Sequence, residues 1–159
     1  MKVFLDSDGV LCAFDAHVMQ FSGGKSPREL GNEALWALVN SIPDFWLTMP
    51  LMPGARDLVA AAKRIDPDVC ILTGCPRTGY EVAAEQKPIK LGAYFPGVRV
   101  ITCLSRHKPQ YMEKPGDVLV DDFIVNVRRW ERAGGTAIHY WNAAQAIHDL
   151  NQIAAERGF

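Results

Sequence analysis

Residues 2–14 read KVFLDSDGVLCAF, a short apolar run that ends in two carboxylates separated by a serine and followed by a glycine. Asp6 and Asp8 stand at i and i+2, so on an extended strand their side chains point the same way. Each carboxylate then raises the free-energy cost of ionising the other. The stretch therefore predicts a buried strand whose end needs a compensating charge nearby.

Apolar runs rich in β-branched residues alternate with helical patterns along most of the chain. Strands are predicted at 3–5, 68–73, 98–102, 117–121 and 136–140. Helices are predicted at 55–65, 123–133 and 142–158, the last with Asn142 as its N-cap. Strands separated by helices indicate an α/β fold, in which right-handed crossovers wind an open parallel sheet.

Three of the predicted strands, 3–5, 68–73 and 117–121, are apolar without alternation, which is typical of central strands covered on both faces. Each ends in polar side chains: Asp6, Thr73, and the pair Asp121 and Asp122. In an open parallel sheet, ligands bind in the crevice outside the carboxyl ends of the strands. Three separate segments are therefore predicted to converge on one site.

Residues 15–53 do not follow this alternation. They contain one predicted helix at about 27–40, glycines and prolines at both ends, and a group of bulky apolar residues. These are Trp36, Phe45, Trp46, Leu47, Met49 and Met52. An insertion directly after the first strand lies over the carboxyl end of that strand, so we expect a small lid at about 15–53. The remainder of residues 1–159 is expected to belong to the same single domain.

The composition, 48% hydrophobic and 22% charged residues, is that of a soluble globular protein. A formal net charge of −1 argues against binding of duplex nucleic acid and favours a small-molecule partner. No apolar run approaches the roughly 20 residues that span a bilayer, and no signal-peptide pattern opens the sequence. The four cysteines lack CxxC spacing, which favours reduced thiols and excludes a zinc knuckle. We therefore expect a cytoplasmic monomer or homodimer that does not bind membranes.

The predicted crevice collects four carboxylates, those of Asp6, Asp8, Asp121 and Asp122. At an effective dielectric constant of about 20, two like charges about 4 Å apart repel by roughly 4 kcal/mol. A bound Mg²⁺, which prefers oxygen ligands, would neutralise such a cluster.

An ionised Asp6 could then attack phosphorus. Asp8 could donate a proton to the leaving oxygen and then accept a proton from the water that hydrolyses the aspartyl phosphate. Gly9 allows a sharp turn, and Thr73 with the amides after it, beginning at Gly74, could bind phosphate oxygens. Lys108 follows strand 98–102 and is expected to reach the crevice. Lys87, Lys90 and Lys114 are nearby alternatives to Lys108, and for a lysine a surface position is the default expectation.

FLDSDGV, VCILTG, LSRHK and DVLVDD resemble, in chain order, the four motifs of the haloacid dehalogenase superfamily. Within that superfamily the sequence is most similar to the 5'(3')-deoxyribonucleotidases, whose DMDGVLADF resembles LDSDGVLCAF here. FWLTMPLMPGA resembles their aromatic segment before PLPGA, ILTGCP their ICTSP, and LSRHK their TRDK. The resemblance implies a three-layer Rossmann-like fold with a small helical cap inserted after the first strand. It also implies a Mg²⁺-dependent phosphatase that acts on nucleoside monophosphates through an aspartyl phosphate.

The resemblance also implies a role for each matching residue. Asp6 becomes the nucleophile, and Asp8 the acid/base whose backbone carbonyl also binds Mg²⁺. Thr73 and Lys108 become phosphate ligands, Asp122 a direct metal ligand, and Asp121 a metal ligand or a residue held behind it. The substrate-contacting aromatic residues would be Phe14, Phe45 and Trp46.

The sequence also departs from the deoxyribonucleotidase pattern. The lid is shorter, and Gly74 with Cys75 stands where that family has a serine, with one extra residue before the proline. Cys75 is expected to be an inert small residue, and Arg77 either clamps phosphate or serves as a capping or surface residue. The same chemistry on a sugar phosphate is an alternative, and a phosphoryl-accepting receiver domain a remote one.

Overall fold

The computed structural model describes all residues, 1–159. Its centre is one five-stranded sheet in the order β3-β2-β1-β4-β5, with every neighbouring pair parallel. The strands are β1 Val3–Leu5, β2 Cys70–Cys75, β3 Arg99–Leu104, β4 Val118–Asp121 and β5 Thr136–His139. The predicted α/β fold with an open parallel sheet is confirmed, and the sheet with its flanking helices is Rossmann-like.

Helices cover both faces of the sheet. They are α1 Phe14–Phe21, α2 Pro27–Leu30, α3 Asn32–Ser41, α4 Phe45–Thr48, α5 Ala55–Ile65, α6 Tyr80–Tyr94, α7 Ile124–Arg132 and α8 Ala143–Glu156, with a 3₁₀ helix at Ser105–Tyr111. Side chains of β1 alternate between two cores: Val3 and Leu5 join the larger one, and Phe4 joins the smaller one. Trp130 of α7 closes the smaller core, with its ring centroid 5.3 Å from that of Phe4. None of these helices combines the length and apolar character needed to cross a membrane.

The three strands predicted to be central are the three inner strands of the sheet. Burial on both faces explains their unbroken apolar sequences, because each side of the strand meets a helix layer. The predicted ends of β2 and β3 were too early: both strands run two residues further, so that Gly74 and Cys75 lie within β2. Asn142 caps α8 as predicted, since its Oδ1 accepts a hydrogen bond from the backbone N–H of Gln145 at 2.9 Å.

The insertion contains four helices instead of the single helix predicted at about 27–40, so that prediction was wrong. Gly31 separates α2 from α3 with φ of 75°, a left-handed value that favours glycine. Ser26 caps α2 through a reciprocal pair of hydrogen bonds with Glu29. Helices α1 to α4 then lead directly into α5, which covers the larger core together with α8.

Candidate functional site

Acidic side chains from two inner strands meet at the carboxyl edge of the sheet. Asp6 follows β1, Asp121 ends β4, and Asp122 comes next. One carboxylate oxygen from each of the three lies within 4.8 Å of the others. Backbone pairing of β1 with β4 sets this arrangement, because Asp6 N–H continues the ladder by donating to the carbonyl of Val120 at 2.9 Å.

Asp8 lies beside a buried lysine that comes from α6. Lys87 is 1% exposed, and its Nζ donates to Asp8 Oδ2 at 2.7 Å, Thr73 Oγ1 at 3.0 Å and Gly74 O at 2.6 Å. The ring of Trp46 in α4 covers the same ammonium group at 4.4 Å from its centroid. Burial raises the pKa of Asp8, although the charge of Lys87 opposes this shift. Lys87 therefore connects Asp8 of the first motif, Thr73 of β2 and Trp46 of the inserted segment that contains α1 to α4, which we call the cap.

The default surface position expected for Lys87 is therefore wrong. Helix α6 was also missing from the sequence interpretation, because Pro88 stands inside it and proline usually interrupts a helix. Two features indicate a helix at this position. A connection between parallel strands needs a crossover, usually a helix, and the buried residues Ala83, Lys87 and Leu91 recur every four positions on one helix face.

Lys108 lies in the 3₁₀ helix after β3 and reaches the acidic cluster from the opposite side. Its Nζ lies 2.7 Å from Asp6 Oδ1 and donates to Asp121 Oδ2 at 2.6 Å, and the side chain is 1% exposed. Burial disfavours the charge of Lys108, but the carboxylates of Asp6 and Asp121 outweigh this effect and raise its pKa. Lys108 is therefore held as a cation against the predicted nucleophile.

The two adjacent acids Asp121 and Asp122 differ in their surroundings. Both oxygens of Asp121 are occupied: Oδ1 accepts from Phe123 N–H at 2.9 Å, and Oδ2 accepts from Lys108 and, at 3.1 Å, from Asn126. Asp122 has no such hydrogen bonds; its carboxyl group lies over Gly9, although the residue as a whole is exposed. Burial and the charge of Asp6 raise the pKa of Asp121 to about 6 and that of Asp122 to about 8. Asp122 is thus the acid with free oxygens.

The oxygen donors fit a divalent cation such as Mg²⁺. Four carboxylates and two buried lysines leave an excess of two negative charges when all are ionised. Asp8 Oδ1 is buried without a hydrogen-bond partner, and the Asp8 carbonyl accepts no backbone hydrogen bond. Hard oxygen ligands with unmet bonding capacity are those that Mg²⁺ prefers. Asp6, Asp122 and the Asp8 carbonyl are the available ligands, with Asp121 behind them.

Two cavities meet at this edge and share five lining residues: Asp8, Trp36, Gly74, Ser105 and Phe123. The smaller, about 360 Å³, contains Asp6, Asp122 and Phe14, so Phe14 faces the acidic cluster. The larger, about 630 Å³, is lined by Trp36 and Trp46 from the cap together with three arginines.

Phe45, a predicted substrate contact, lines neither cavity. It is 1% exposed and packs edge-on against Phe14, with ring centroids 5.8 Å apart. Phe45 therefore supports the other aromatic residues from beneath. Trp46 is only 2% exposed, and its ring contacts the Lys87 ammonium group and the Phe14 ring, so Phe14 is the predicted aromatic contact that faces the crevice.

The carboxyl end of β2 is tightly constrained. Thr73 is fully buried, and its hydroxyl accepts a hydrogen bond from Lys87. A Cβ at Gly74 would lie 2.2 Å from Ser105 Oγ, so a larger residue at Gly74 would displace Ser105. Cys75 is buried, and burial raises the pKa of its thiol, which fits an unreactive residue. Arg77 is exposed and lines the larger cavity.

No protein-family model matches the sequence, and no curated protein matches it. Among solved structures, the chain is similar to an uncharacterized protein from Corynebacterium glutamicum ATCC 13032 Kitasato, with 20% sequence identity and a TM-score of 0.47. That similarity covers 97% of this chain and 94% of the other.

Proposed function

We propose that the protein is a Mg²⁺-dependent phosphomonoesterase of the haloacid dehalogenase type that works through an aspartyl phosphate. The observation that carries the proposal is the position of Asp6 between the ammonium group of Lys108, 2.7 Å away, and the open carboxylate of Asp122. A carboxylate held beside a buried cation at a strand end is suited to attack an anionic phosphoryl group.

In the first step, an Asp6 oxygen attacks phosphorus and the ester P–O bond breaks. Asp8 supplies the proton to the leaving oxygen, a role that its raised pKa supports. Thr73 and the backbone amides after Gly74 would bind the non-bridging oxygens, Lys87 would hold Asp8 and Thr73 in position, and Lys108 would offset the charge that builds up. Bound Mg²⁺ would further neutralise the phosphoryl oxygens and orient them.

In the second step, water attacks the phosphorus of the Asp6 phosphate. Asp8, now deprotonated, accepts the proton of this water, and inorganic phosphate leaves as the bond to Asp6 breaks. A receiver domain retains its phosphoryl group for longer. Asp8, two residues after the phosphorylated aspartate, can activate water, and this favours hydrolysis of the aspartyl phosphate over a long-lived phosphoryl group.

The favoured substrates are nucleoside 5'-monophosphates, deoxyribonucleotides first. Trp36 and Phe14 line the cavities beside the acidic cluster and are partly exposed, and aromatic faces of this kind stack on bases. Sugar phosphates are the alternative substrates of the same chemistry. A panel of phosphomonoesters assayed with Mg²⁺ distinguishes them, because indifference to the base would contradict the nucleotidase assignment.

Replacement of the proposed nucleophile tests the reaction itself. Asp6→Asn removes the attacking carboxylate with little change in shape, so we expect phosphatase activity to fall by about 10⁴-fold or more. Asp57→Asn, in an exposed position on α5, is the matched control and should keep wild-type activity. Circular dichroism establishes that both variants fold. Substantial activity in folded Asp6→Asn would rule out attack by this residue.

A further inference from the structure

The larger cavity contains a cluster of positive charge that the proposed reaction does not use. Of its fourteen lining residues only four are charged: Asp8 and the arginines Arg77, Arg106 and Arg129. The arginines come from three separate segments, the loop after β2, the 3₁₀ helix and α7. Three cations that converge on one cavity in a chain of net charge −1 are a local concentration of charge.

None of these arginines is neutralised by the protein. Arg77, Arg106 and Arg129 form no salt bridge with any acidic side chain, and Asp8 is paired with Lys87. The side chain of Arg106 makes one hydrogen bond, to His107 Nε2 at 3.2 Å. Like charges around one cavity repel, and an anion in the cavity would remove that cost.

The reactive phosphoryl group does not account for this charge. It would lie in the smaller cavity, where Asp6 and Asp122 line the wall and Lys87 and Lys108 supply the cations. None of the three arginines lines that smaller cavity. Arg77 and Arg106 also line an adjoining cavity of about 560 Å³, so they lie where the larger cavity meets it.

We propose that the substrate carries a second anionic group, a phosphate or carboxylate on its leaving group, which Arg77, Arg106 and Arg129 bind. This inference rests on the proposed phosphomonoesterase function and narrows its substrate class. The planar guanidinium group binds phosphate or carboxylate through two parallel hydrogen bonds. A volume of about 630 Å³ is within the usual range for sites that enclose a whole small ligand. A nucleoside bisphosphate combines such an anion with a base for the partly exposed Trp36, which lines both the larger and the smaller cavity.

The reaction of such a substrate needs water alone as co-reactant. One ester P–O bond breaks, and the leaving oxygen takes the proton from Asp8. Water then hydrolyses the Asp6 phosphate. The products are inorganic phosphate and an alcohol that still carries its second anionic group.

Paired substrates test the proposal. Initial rates with Mg²⁺ are compared for deoxythymidine 5'-monophosphate and deoxythymidine 3',5'-bisphosphate, and for fructose 6-phosphate and fructose 1,6-bisphosphate. We expect kcat/KM for the bisphosphate of the preferred pair to exceed that of its monophosphate by about tenfold or more, as one charge-assisted contact would give. Arg77→Gln, Arg106→Gln and Arg129→Gln should each lower this ratio by about threefold or more. Arg128→Gln, on the exposed neighbour of Arg129, should leave the ratio unchanged.

The affinity for these ligands, measured without turnover, distinguishes a failure of the anion site from a failure of the proposed phosphatase function. Calorimetric titration of folded Asp6→Asn, and of wild-type protein in EDTA, measures Kd for the same ligand pairs without turnover. Tighter binding of a bisphosphate that the arginine variants weaken supports the anion site even if no phosphomonoester is hydrolysed, and in that case only the catalytic proposal fails. Equal kcat/KM and equal Kd within both pairs, or a preference untouched by all three arginine variants, would overturn the anion site while the phosphatase proposal stands.

Discussion

Gly9 determines how closely two parts of the site approach each other. Its φ of 79° lies in the left-handed region, and a Cβ there would lie 2.0 Å from an oxygen of Asp122. The turn after the DSD sequence therefore needs glycine for its conformation and also for the space that the Asp122 carboxylate occupies. Ser7, between the two acids, is 1% exposed, so its position is also confined.

A comparison of Gly9→Ala with Gly97→Ala should separate the need for a left-handed backbone from the need for space beside Asp122. Both glycines have positive φ, but a Cβ at Gly97 would meet nothing within 4 Å. Urea unfolding should show a loss of about 1–2 kcal/mol in both variants from the left-handed conformation. Gly9→Ala alone should also displace Asp122 and raise the Mg²⁺ concentration needed for half-maximal activity. Equal Mg²⁺ dependence in the two variants would show that the contact with Asp122 is unimportant.

The acidic residues at the two ends of the sheet have different partners. Asp66 and Asp117, at the amino end, accept hydrogen bonds from the backbone N–H groups of Val3 at 2.9 Å and Lys2 at 3.0 Å. Backbone donors of this kind satisfy a carboxylate and hold the first strand in place. Asp6 and Asp122, at the carboxyl end, have lysine or acidic neighbours instead, an arrangement that supports the proposed metal site.

Helix α6 connects the cap to the sheet through one side chain. It packs against α4 of the cap and against β2 and β3, and its buried stripe contains Lys87 between two apolar residues. A lysine in a buried stripe is costly unless paired, and here Asp8, Thr73 and the Gly74 carbonyl supply three acceptors. The position of the helix thus determines where this ammonium group lies relative to Asp8.

Lys87→Met retains the aliphatic stem and removes the charge. We expect kcat to fall by about 10²–10³-fold, because the cation that pairs with Asp8 and orients the Thr73 hydroxyl is lost. Lys90→Met is the matched control on the same helix: Lys90 lies over the Tyr94 ring at 4.5 Å, away from the acids, and activity should stay within about threefold of wild type. Thermal unfolding shows whether both variants are folded at the assay temperature. Similar activity in the two variants would exclude Lys87 from the reaction.

At the scale of the whole molecule, the carboxyl edge of the sheet carries an electrostatic cost that a cation would relieve. The raised pKa of Asp122, about 8, means that the folded protein binds a proton that the unfolded chain has released. Stability without metal should therefore fall as pH rises toward 8. Burial lowers the pKa of His17, so its contribution to stability rises with pH, but only up to the ordinary histidine pKa of about 6.5.

Thermal unfolding between pH 6.5 and 8 isolates the acidic cluster from His17. In EDTA we expect the melting temperature to decrease over this interval, and saturating Mg²⁺ should raise it more at pH 8 than at pH 6.5. Asp122→Asn should reduce both effects, whereas Asp57→Asn should retain them. A melting temperature that is independent of pH in EDTA and equally raised by Mg²⁺ at both pH values would contradict this account.

Local sequence was sufficient to predict the parallel sheet and the polar residues at its carboxyl edge. Unbroken apolar runs identify central strands because both faces of such strands are covered, and the polar residues at their ends must then share one edge. Asp6, Asp121 and Asp122 could be found this way, since each ends or directly follows a strand, and Thr73 lies two residues before the end of β2. The short helices of the cap could not, because Gly31 divides a pattern that looks continuous.

Tertiary structure alone decided which charges face one another. Lys87 pairs with Asp8 across 79 residues, and Arg77, Arg106 and Arg129 converge from three segments. Lysines and arginines look alike in sequence whether they face solvent or a cavity, because their position depends on how helices pack over the sheet. The difference between Asp121 and Asp122 likewise depends on how the 3₁₀ helix and α7 pack at the end of β4: Lys108 and Asn126 donate hydrogen bonds to Asp121, whereas Asp122 receives none from them.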